Sequence, residues 1–271
     1  MARLSMSELT TLRWSFEEDV AHYAACQIPA IGVWREKIAD FGEEKGRELL
    51  EDHGLQVGSL SWAGGFTGSE GMTFLDSIDD AIEAIRLAES LSAPCLVVHS
   101  GARGGHTLSH ARRLLVQGLQ YLAPIAAECG VTLGLEPMSP ASAADWTFLT
   151  DLREAASVVE EADSPHVGLV LNTYHWGWDS QALAQAAAMA DRICLVKLGD
   201  SRLPPDREHS RCRLGDGHIP LREWVARLVQ AGYDGDFDVE LRGEEIEPGQ
   251  YEAVLRQSKH FFDRLLHQVV V

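Results

Sequence analysis

The chain contains 271 residues, of which 41 are acidic and 23 are basic, so its formal net charge at pH 7 is −18. Proteins that bind nucleic acid or an anionic membrane surface usually carry a basic patch. This sequence contains no basic run, which argues against both partners. Hydrophobic residues make up 45% of the chain and charged residues 24%, a composition that favours a folded protein over a disordered one.

The cysteines and the apolar segments bear on the cellular compartment. The chain has five cysteines, and no two of them form a C-x-x-C pair, so the sequence predicts neither a disulfide framework nor a cysteine zinc site. The N-terminal residues lack the apolar core of a leader, and no apolar run approaches about 18 residues. We therefore expect a cytoplasmic protein without a membrane partner, and its acidic composition is compatible with a monomer or a homo-oligomer.

Short apolar runs recur along the chain and are separated by longer segments. Several runs, such as CLVVH and VGLVL, are apolar almost throughout, which is typical of parallel strands that helices cover on the outside. The predicted strands are residues 2–5, 30–34, 55–60, 95–99, 131–136, 167–172, 193–198 and 237–241. Helical spacing of apolar residues predicts helices at residues 77–91, 108–129 and 221–231.

Helix starts and the alternation of elements indicate the fold. Asp76 and Thr150 are candidate N-caps for two of the helices. Strands and helices alternate without a linker or a change in composition, which predicts one domain over residues 1–271, a closed (β/α)₈ TIM barrel with a parallel sheet. An open doubly wound sheet is the alternative, but no G-x-G-x-x-G follows the first strand.

In a (β/α)₈ barrel the C-terminal ends of the strands meet at one mouth, where active sites lie. Polar and aromatic residues stand near the predicted strand ends, namely Trp34, Glu36, Ser61, His99, Glu136, Asn172, His175, Lys197, Asp200 and Glu240. A carboxylate that directly follows an apolar strand, as Glu136 and Glu240 do, is costly to bury unless it is paired or bound to a metal. Structural ion pairs at the barrel rim are the alternative interpretation of Glu136, Asp200 and Glu240.

Five motifs follow one another in the second half of the chain: LEPMSPASAAD, LNTYHWGWD, VKLGDSR, RCRLGDGHIPL and DVELRG. Together they resemble the xylose isomerase-like TIM barrels, and most closely their sugar phosphate isomerase/epimerase branch, which includes ketose 3-epimerases, inosose dehydratases and dehydroshikimate dehydratases. The resemblance implies a small-molecule sugar, polyol or sugar phosphate as partner and proton transfer next to a carbonyl. Glu136 and Glu240 would exchange the proton, while a metal ion or Lys197 stabilises the enediolate. Expulsion of a β-hydroxyl from the same intermediate gives the dehydratase alternative.

The resemblance also implies a divalent cation at the mouth, held by Glu, Asp, His or Gln, and Glu after the fifth to eighth strands. Glu136 and Glu240 match this pattern, whereas Asn172 stands in place of Asp and Lys197 in place of His or Gln. Three hypotheses stay open. Mg²⁺, Mn²⁺ or Zn²⁺ binds weakly to Glu136, Asn172 and Glu240 while Lys197 turns aside. Alternatively, Lys197 replaces the metal and polarises the carbonyl or acts as a base, or the barrel binds a sugar without catalysis, as a sensor or a subunit.

Substrate-binding residues are assigned by the same resemblance. Arg211 would hold hydroxyl or phosphate oxygens, since its planar fork of donors suits that task. His175 and His99 would line the pocket. An apolar wall for the sugar is expected from Trp34, Trp62 and Trp176.

Apurinic endonucleases share the fold and several of these residues, and they provide a rival interpretation. They need a histidine after the third strand, where SLSWAGG offers none, and another where Lys197 stands. The net negative charge would also repel DNA phosphates. The sugar-directed interpretation is therefore favoured.

Overall fold

The computed structural model describes residues 2–69, 71–206, 210–242 and 246–269. The barrel strands are β1 (Arg3–Ser7), β2 (Ala30–Trp34), β3 (Gln56–Gly64), β4 (Cys95–His99), β5 (Thr132–Leu135), β6 (Val167–Asn172), β7 (Ile193–Leu198) and β10 (Asp236–Val239). They are all parallel and close in the order β1-β10-β7-β6-β5-β4-β3-β2. An antiparallel ribbon of β8 (Asp200–Ser201) and β9 (Arg211–Cys212) lies along the chain between β7 and β10. The predicted (β/α)₈ barrel is confirmed.

Helices connect the strands and cover the barrel. They are α1 (Phe16–Ala25), α2 (Arg35–Phe41), α3 (Glu43–His53), α4 (Phe74–Ser90), α5 (Leu108–Glu128), α6 (Leu152–Ala162), α7 (Thr173–Trp176), α8 (Ala182–Ala188), α9 (Leu221–Gln230) and α10 (Tyr251–Val269). Short 3₁₀ turns occur at Ala143–Asp145, Ala190–Arg192 and Pro248–Gln250. Within the described ranges, none of the helices has the length and apolar character needed to cross a membrane.

The apolar runs located the strands well, but β1 and β3 run past their predicted ends, to Ser7 and Gly64. The observed bounds agree with the predicted ones for the strands at residues 30–34, 95–99, 167–172 and 193–198. Strand β3 runs past its predicted end to Gly64, because its pairing with β4 continues beyond a bulge as far as Gly64 and His99. A Cβ atom on Gly64, whose φ is +132°, would lie 1.8 Å from the carbonyl oxygen of His99, so this close approach requires glycine.

Both predicted helix starts are wrong by one to three residues. Helix α4 is capped by Thr73, whose hydroxyl accepts the backbone N–H of Asp76 while the Asp76 carboxylate accepts the backbone N–H of Thr73. This reciprocal capping box makes Asp76 the third helical residue rather than the cap. Helix α6 is capped by Asp151 instead of Thr150, since the Asp151 carboxylate accepts two backbone N–H groups of the first turn.

The strand register aligns polar side chains along one side of the barrel interior. Asp238 of β10 pairs with Ser5 of β1 and with Lys197 of β7, and Lys197 pairs in turn with Asn172 of β6. These four residues are all buried. A separate apolar cluster consists of Cys95, Val97, Val170 and Leu195. The interior is therefore polar beneath one part of the mouth, where the candidate site lies.

Candidate active site

Three strands bring a buried charged cluster together at the mouth of the barrel. Glu136 directly follows β5, Glu240 directly follows β10, and Lys197 is the last residue but one of β7. The Lys197 Nζ atom lies 2.8 Å from Oε2 of Glu136 and 2.8 Å from Oε2 of Glu240, and none of the three side chains is more than 4% exposed. We call these three residues the ammonium–carboxylate cluster. The lysine bridges the two carboxylates that the sequence predicted as acid, base and metal ligands.

Asn172 completes this cluster on the side of β6. Its Nδ2 donates to Oε1 of Glu136 at 3.0 Å and lies 3.3 Å from Oε1 of Glu240. Its Oδ1 accepts the backbone N–H of Tyr174 at 3.1 Å, which fixes the orientation of the amide. Asn172 therefore presents hydrogen-bond donors, rather than its oxygen, to the two carboxylates.

Arg211 reaches the cluster from the β8–β9 ribbon. Its Nη2 lies 3.1 Å from Oε1 of Glu240, and its Nη1 donates to the backbone carbonyl oxygen of Glu240 at 2.7 Å. The guanidinium also lies over the ring of Tyr174, 4.0 Å from the centroid. The structure thus places Arg211 beside the cluster, where it contacts the carboxylate of Glu240.

Asp200 organises the loop that carries this part of the site. Its carboxylate accepts backbone N–H groups from Ser201, Gly215 and Gly217, at 2.8 to 3.1 Å. A buried carboxylate that accepts several backbone donors stabilises the local chain. The structure therefore gives Asp200 a structural role through backbone hydrogen bonds rather than through the ion pair that the sequence suggested.

His99 flanks the cluster at the end of β4. Its Nε2 lies 3.2 Å from Oε2 of Glu136, and the side chain is 5% exposed. Its ring lies beside two tryptophans, with centroids 5.6 Å from Trp62 and 5.8 Å from Trp146. His99 therefore joins the charged side of the mouth to an aromatic side.

The aromatic side is a group of three tryptophans, two from strands β2 and β3 and one from the loop after β5. Trp34 stacks on Trp62 with centroids 6.5 Å apart, and Trp62 meets Trp146 edge to face at 5.0 Å. Arg242 lies over the Trp146 ring at 5.5 Å. We call Trp34, Trp62 and Trp146 the tryptophan wall. Sequence reasoning named Trp34 and Trp62 but missed Trp146 and Arg242. Arg242 has a φ of +39° and lies beyond the end of β10, so strand alternation does not mark it.

His175 and Trp176 lie on the short helix α7, and both are buried. The Nδ1 atom of His175 lies 3.4 Å from the hydroxyl of Ser139. The Trp176 indole donates to the carbonyl oxygen of Pro137 at 3.3 Å and belongs to the main apolar core. Trp176, predicted as part of the substrate wall, is thus engaged in packing beneath the loop after β5, while the wall is completed by Trp146.

Opposing influences set the ionisation of the cluster. Burial acts to lower the pKa of Lys197, but the attraction of Glu136 and Glu240 outweighs it, so that pKa is raised. Burial acts to raise the pKa of Glu240, but Lys197 and Arg211 lower it to about 2. In the same way Lys197 and His99 overcome burial and hold the pKa of Glu136 well below its ordinary value. Both carboxylates and the ammonium are therefore charged at neutral pH.

The residues present do not fit the divalent cation that the resemblance implies. A protonated lysine has no lone pair, and the Lys197 ammonium lies between the two glutamates instead of turning aside. Asn172, predicted as a ligand, directs N–H groups to those glutamates. In the part of the chain that the structure describes, no group of three or more His, Cys, Asp and Glu side chains is arranged to hold a metal.

Comparison with known proteins identifies relatives with activities on sugars and related compounds. The chain is 25% identical over 240 residues to L-ribulose 3-epimerase from Methylomonas sp. (strain DH-1), covering 83% of this chain and 76% of that protein. It is 24% identical over 233 residues to 3-dehydroshikimate dehydratase from Pseudomonas aeruginosa, covering 83% of this chain but only 33% of that longer protein. Both activities lie within the branch that the motifs indicated.

The fold and the family are shown by two further comparisons. The crystal structure of IolI with a bound zinc atom superposes with a TM-score of 0.85 at 19% identity, covering 98% of this chain and 99% of that one. At this identity the likeness concerns the fold, and the zinc is a property of that protein. The profile of the xylose isomerase-like TIM barrel family matches residues 21–265. The chain therefore belongs to the xylose isomerase-like TIM barrel family.

Proposed function

We propose that this protein is a sugar isomerase or epimerase that moves a proton at the carbon next to a carbonyl of a ketose, polyol-derived ketose or sugar phosphate. The observation that carries the proposal is the bridging of Glu136 and Glu240 by Lys197 at the barrel mouth, with 2.8 Å on each side. Two carboxylates and one cation are the groups such a reaction needs. One carboxylate removes the proton, the other returns it, and the cation stabilises the oxygen that becomes negative.

Lys197 supplies the positive charge in this mechanism. An ammonium group has three N–H donors, so it can contact both glutamates and still direct a donor at a substrate oxygen. The raised pKa keeps Lys197 protonated, which suits an electrophilic role and argues against its acting as the base or as a nucleophile. Lys197 therefore replaces the metal as the group that polarises the carbonyl and the adjacent hydroxyl.

Glu136 and Glu240 become better bases once the substrate is bound. With a pKa of about 2, Glu240 is a weak base in the ligand-free site. When a substrate oxygen accepts from Lys197 or Arg211, each glutamate loses part of the positive charge that lowered its pKa. Substrate binding therefore moves these pKa values towards the range in which a carboxylate accepts a proton from carbon.

Neighbouring groups provide the rest of the binding site. Arg211 and His99 contact the glutamates and can donate to substrate hydroxyl or phosphate oxygens. The tryptophan wall adjoins these polar groups at His99, whose ring lies 5.6 Å from that of Trp62, and offers an apolar surface for a sugar face. A polar side and an aromatic side together suit a polyhydroxylated ligand.

A sugar-binding barrel without catalysis is the second candidate, and the same ion pairs favour it. Carboxylates held at low pKa are poor bases, so Lys197 could have locked the site into a binding role. The two candidates differ in one observable, the exchange of a carbon-bound proton with solvent. Both predict that a sugar or polyol binds.

The test is solvent deuterium exchange, followed by NMR, with a panel of ketoses, inososes and their phosphates. We expect exchange next to the carbonyl, and a loss of about 100-fold or more in Glu240→Gln with the fold retained by circular dichroism. Glu247→Gln, at an exposed position, is the matched control. Binding without exchange supports the second candidate, and loss of water to an unsaturated product supports the dehydratase alternative. Absence of both binding and exchange across the panel overturns the proposal.

A further inference from the structure

We infer that Lys197 and Asn172 act as a pair that permanently replaces a divalent cation, so that the site is complete in the protein chain alone and excludes metal. The first observation is that every carboxylate oxygen of the cluster faces a donor from the chain. In Glu136, Oε1 faces Asn172, while Oε2 faces Lys197 and His99. In Glu240, Oε1 faces Asn172 and Arg211, while Oε2 lies 2.8 Å from the Lys197 ammonium in an ion pair without hydrogen-bond geometry. A cation that binds these oxygens must displace donors that the fold itself holds in place.

The orientation of Asn172 is the second observation. The backbone N–H of Tyr174 donates to Oδ1, and both residues are fully buried. Turning the amide so that Oδ1 faced a cation would direct Nδ2 at the Tyr174 N–H, leaving two buried donors opposed. Asn172 is therefore fixed as a donor to the carboxylates and cannot act as a metal ligand without rearrangement of the chain around it.

The third observation is that the Lys197 ammonium is enclosed between the two glutamates and cannot reach solvent. Its side chain is 4% exposed, and its Nζ is held by Glu136 on one side and Glu240 on the other. A divalent cation at this position would leave the ammonium buried, without its partners and next to two further positive charges. Lys197 and a metal therefore compete for the same carboxylates.

The net charge of the family's metal-bound site equals the net charge of the metal-free site in this chain. Glu, Asp, neutral His and Glu around a divalent cation sum to one negative charge. Glu136, Asn172, Lys197 and Glu240 also sum to one negative charge, because Asn removes one negative charge and Lys adds one positive charge. Each change alone leaves the balance incomplete, whereas the two together supply the charge that the ion would bring.

This inference leads to a test by reversal that does not depend on knowing the substrate. The double variant Asn172→Asp/Lys197→His restores a carboxylate and an uncharged imidazole beside Glu136 and Glu240. Titration calorimetry with Mn²⁺ and with Zn²⁺ measures affinity, and elemental mass spectrometry measures the metal content after purification without chelator. We expect less than about one tenth of an equivalent of metal in the parent protein, and at least about 100-fold tighter binding in the double variant.

The metal affinities of the two single variants and of a control lysine variant show whether the effects of Asn172 and Lys197 depend on each other. Asn172→Asp alone keeps the ammonium, and Lys197→His alone lacks the third carboxylate, so each gains less than the double variant. The control is Lys259→His, which changes another lysine paired with a carboxylate, that of Asp263, on the outer helix α10. It should gain no metal affinity.

The parent protein decides the inference even if the double variant does not fold. Near one equivalent of metal in the parent, lost in Glu240→Gln, overturns the inference while leaving the proposed isomerase function intact. Absence of Mn²⁺ and Zn²⁺ binding at the mouth of the parent at millimolar concentration supports it. A folded double variant that binds no more tightly than the parent also overturns it, whether or not deuterium exchange is observed.

Discussion

Replacing Asp238 by Asn is expected to stabilise the protein, and more so as the pH rises. Asp238 is 1% exposed and lies inside the barrel, paired in register with Ser5 on one side and Lys197 on the other. Burial raises its pKa to about 7, although Ser5 and Lys197 act to lower it. The carboxyl group therefore binds its proton more tightly in the folded chain than in the unfolded chain.

The sign and size of the effect follow from this difference. A group whose pKa is raised by folding stabilises the protein most below its unfolded pKa, and this stability is lost as the pH rises through the folded value. With an unfolded pKa of about 3.9, the full loss corresponds to about 4 kcal/mol, and about 1.4 kcal/mol of it falls between pH 6 and pH 9. Asparagine has no proton to lose, so the Asp238→Asn variant lacks this loss.

Urea unfolding of the parent and Asp238→Asn at pH 6 and pH 9 measures the effect, at values above the sequence pI of 4.9. The stability advantage of the variant should grow by about 1.4 kcal/mol between the two pH values. Burial also raises the pKa values of Glu8 and Asp19, but these groups are common to both chains and cancel in the comparison. Asp191→Asn, at an exposed position, should give no pH-dependent difference. An equal difference between parent and Asp238→Asn at both pH values would refute the reasoning.

Two further predictions concern stability in acid and the close contact of Gly64 in β3 with His99 in β4. The pKa of Glu240 is lowered, so its ion pairs stabilise the fold fully above about pH 4 and are lost as the pH falls towards 2; Arg211→Met should move the acid-unfolding midpoint, followed by circular dichroism, to higher pH. Gly64→Ala should cost more than about 4 kcal/mol in urea unfolding or prevent soluble expression, because its Cβ would lie 1.8 Å from the His99 carbonyl oxygen. Gly105→Ala, whose Cβ meets nothing within 4 Å, should stay within about 0.5 kcal/mol.

The sequence was sufficient for the barrel and for the position of the main site. Apolar runs report burial on both faces of a strand, which is why four strands were predicted with their observed bounds. Because parallel strands point their C-terminal ends at one mouth, the sequence predicted that Glu136, Lys197 and Glu240 lie near one another. The capping box at Thr73 was missed because Asp76 also fits an N-cap by residue type.

The direction of the Lys197 side chain could not be predicted from the sequence. It depends on the strand register and on the side chains that face it across the barrel, which no local pattern reports. Three hypotheses were therefore left open, and in the structure Lys197 does not turn aside but pairs with both glutamates. Trp146 was missed for a related reason, since it lies in an irregular loop after β5 with no periodicity to mark it.

A lysine and a bound metal differ in what they do when no substrate is present. A metal site can lose its ion, and its carboxylates then repel one another, whereas Lys197 is covalently part of the chain and pairs with Glu136 and Glu240 in the ligand-free site. The advantage is independence from metal supply. The cost is electrophilic strength, because a single charge polarises a carbonyl less than a divalent ion does. If the protein catalyses proton transfer, Lys197 and Arg211 must therefore supply together the stabilisation of negative oxygen that one ion provides in the metal-dependent site.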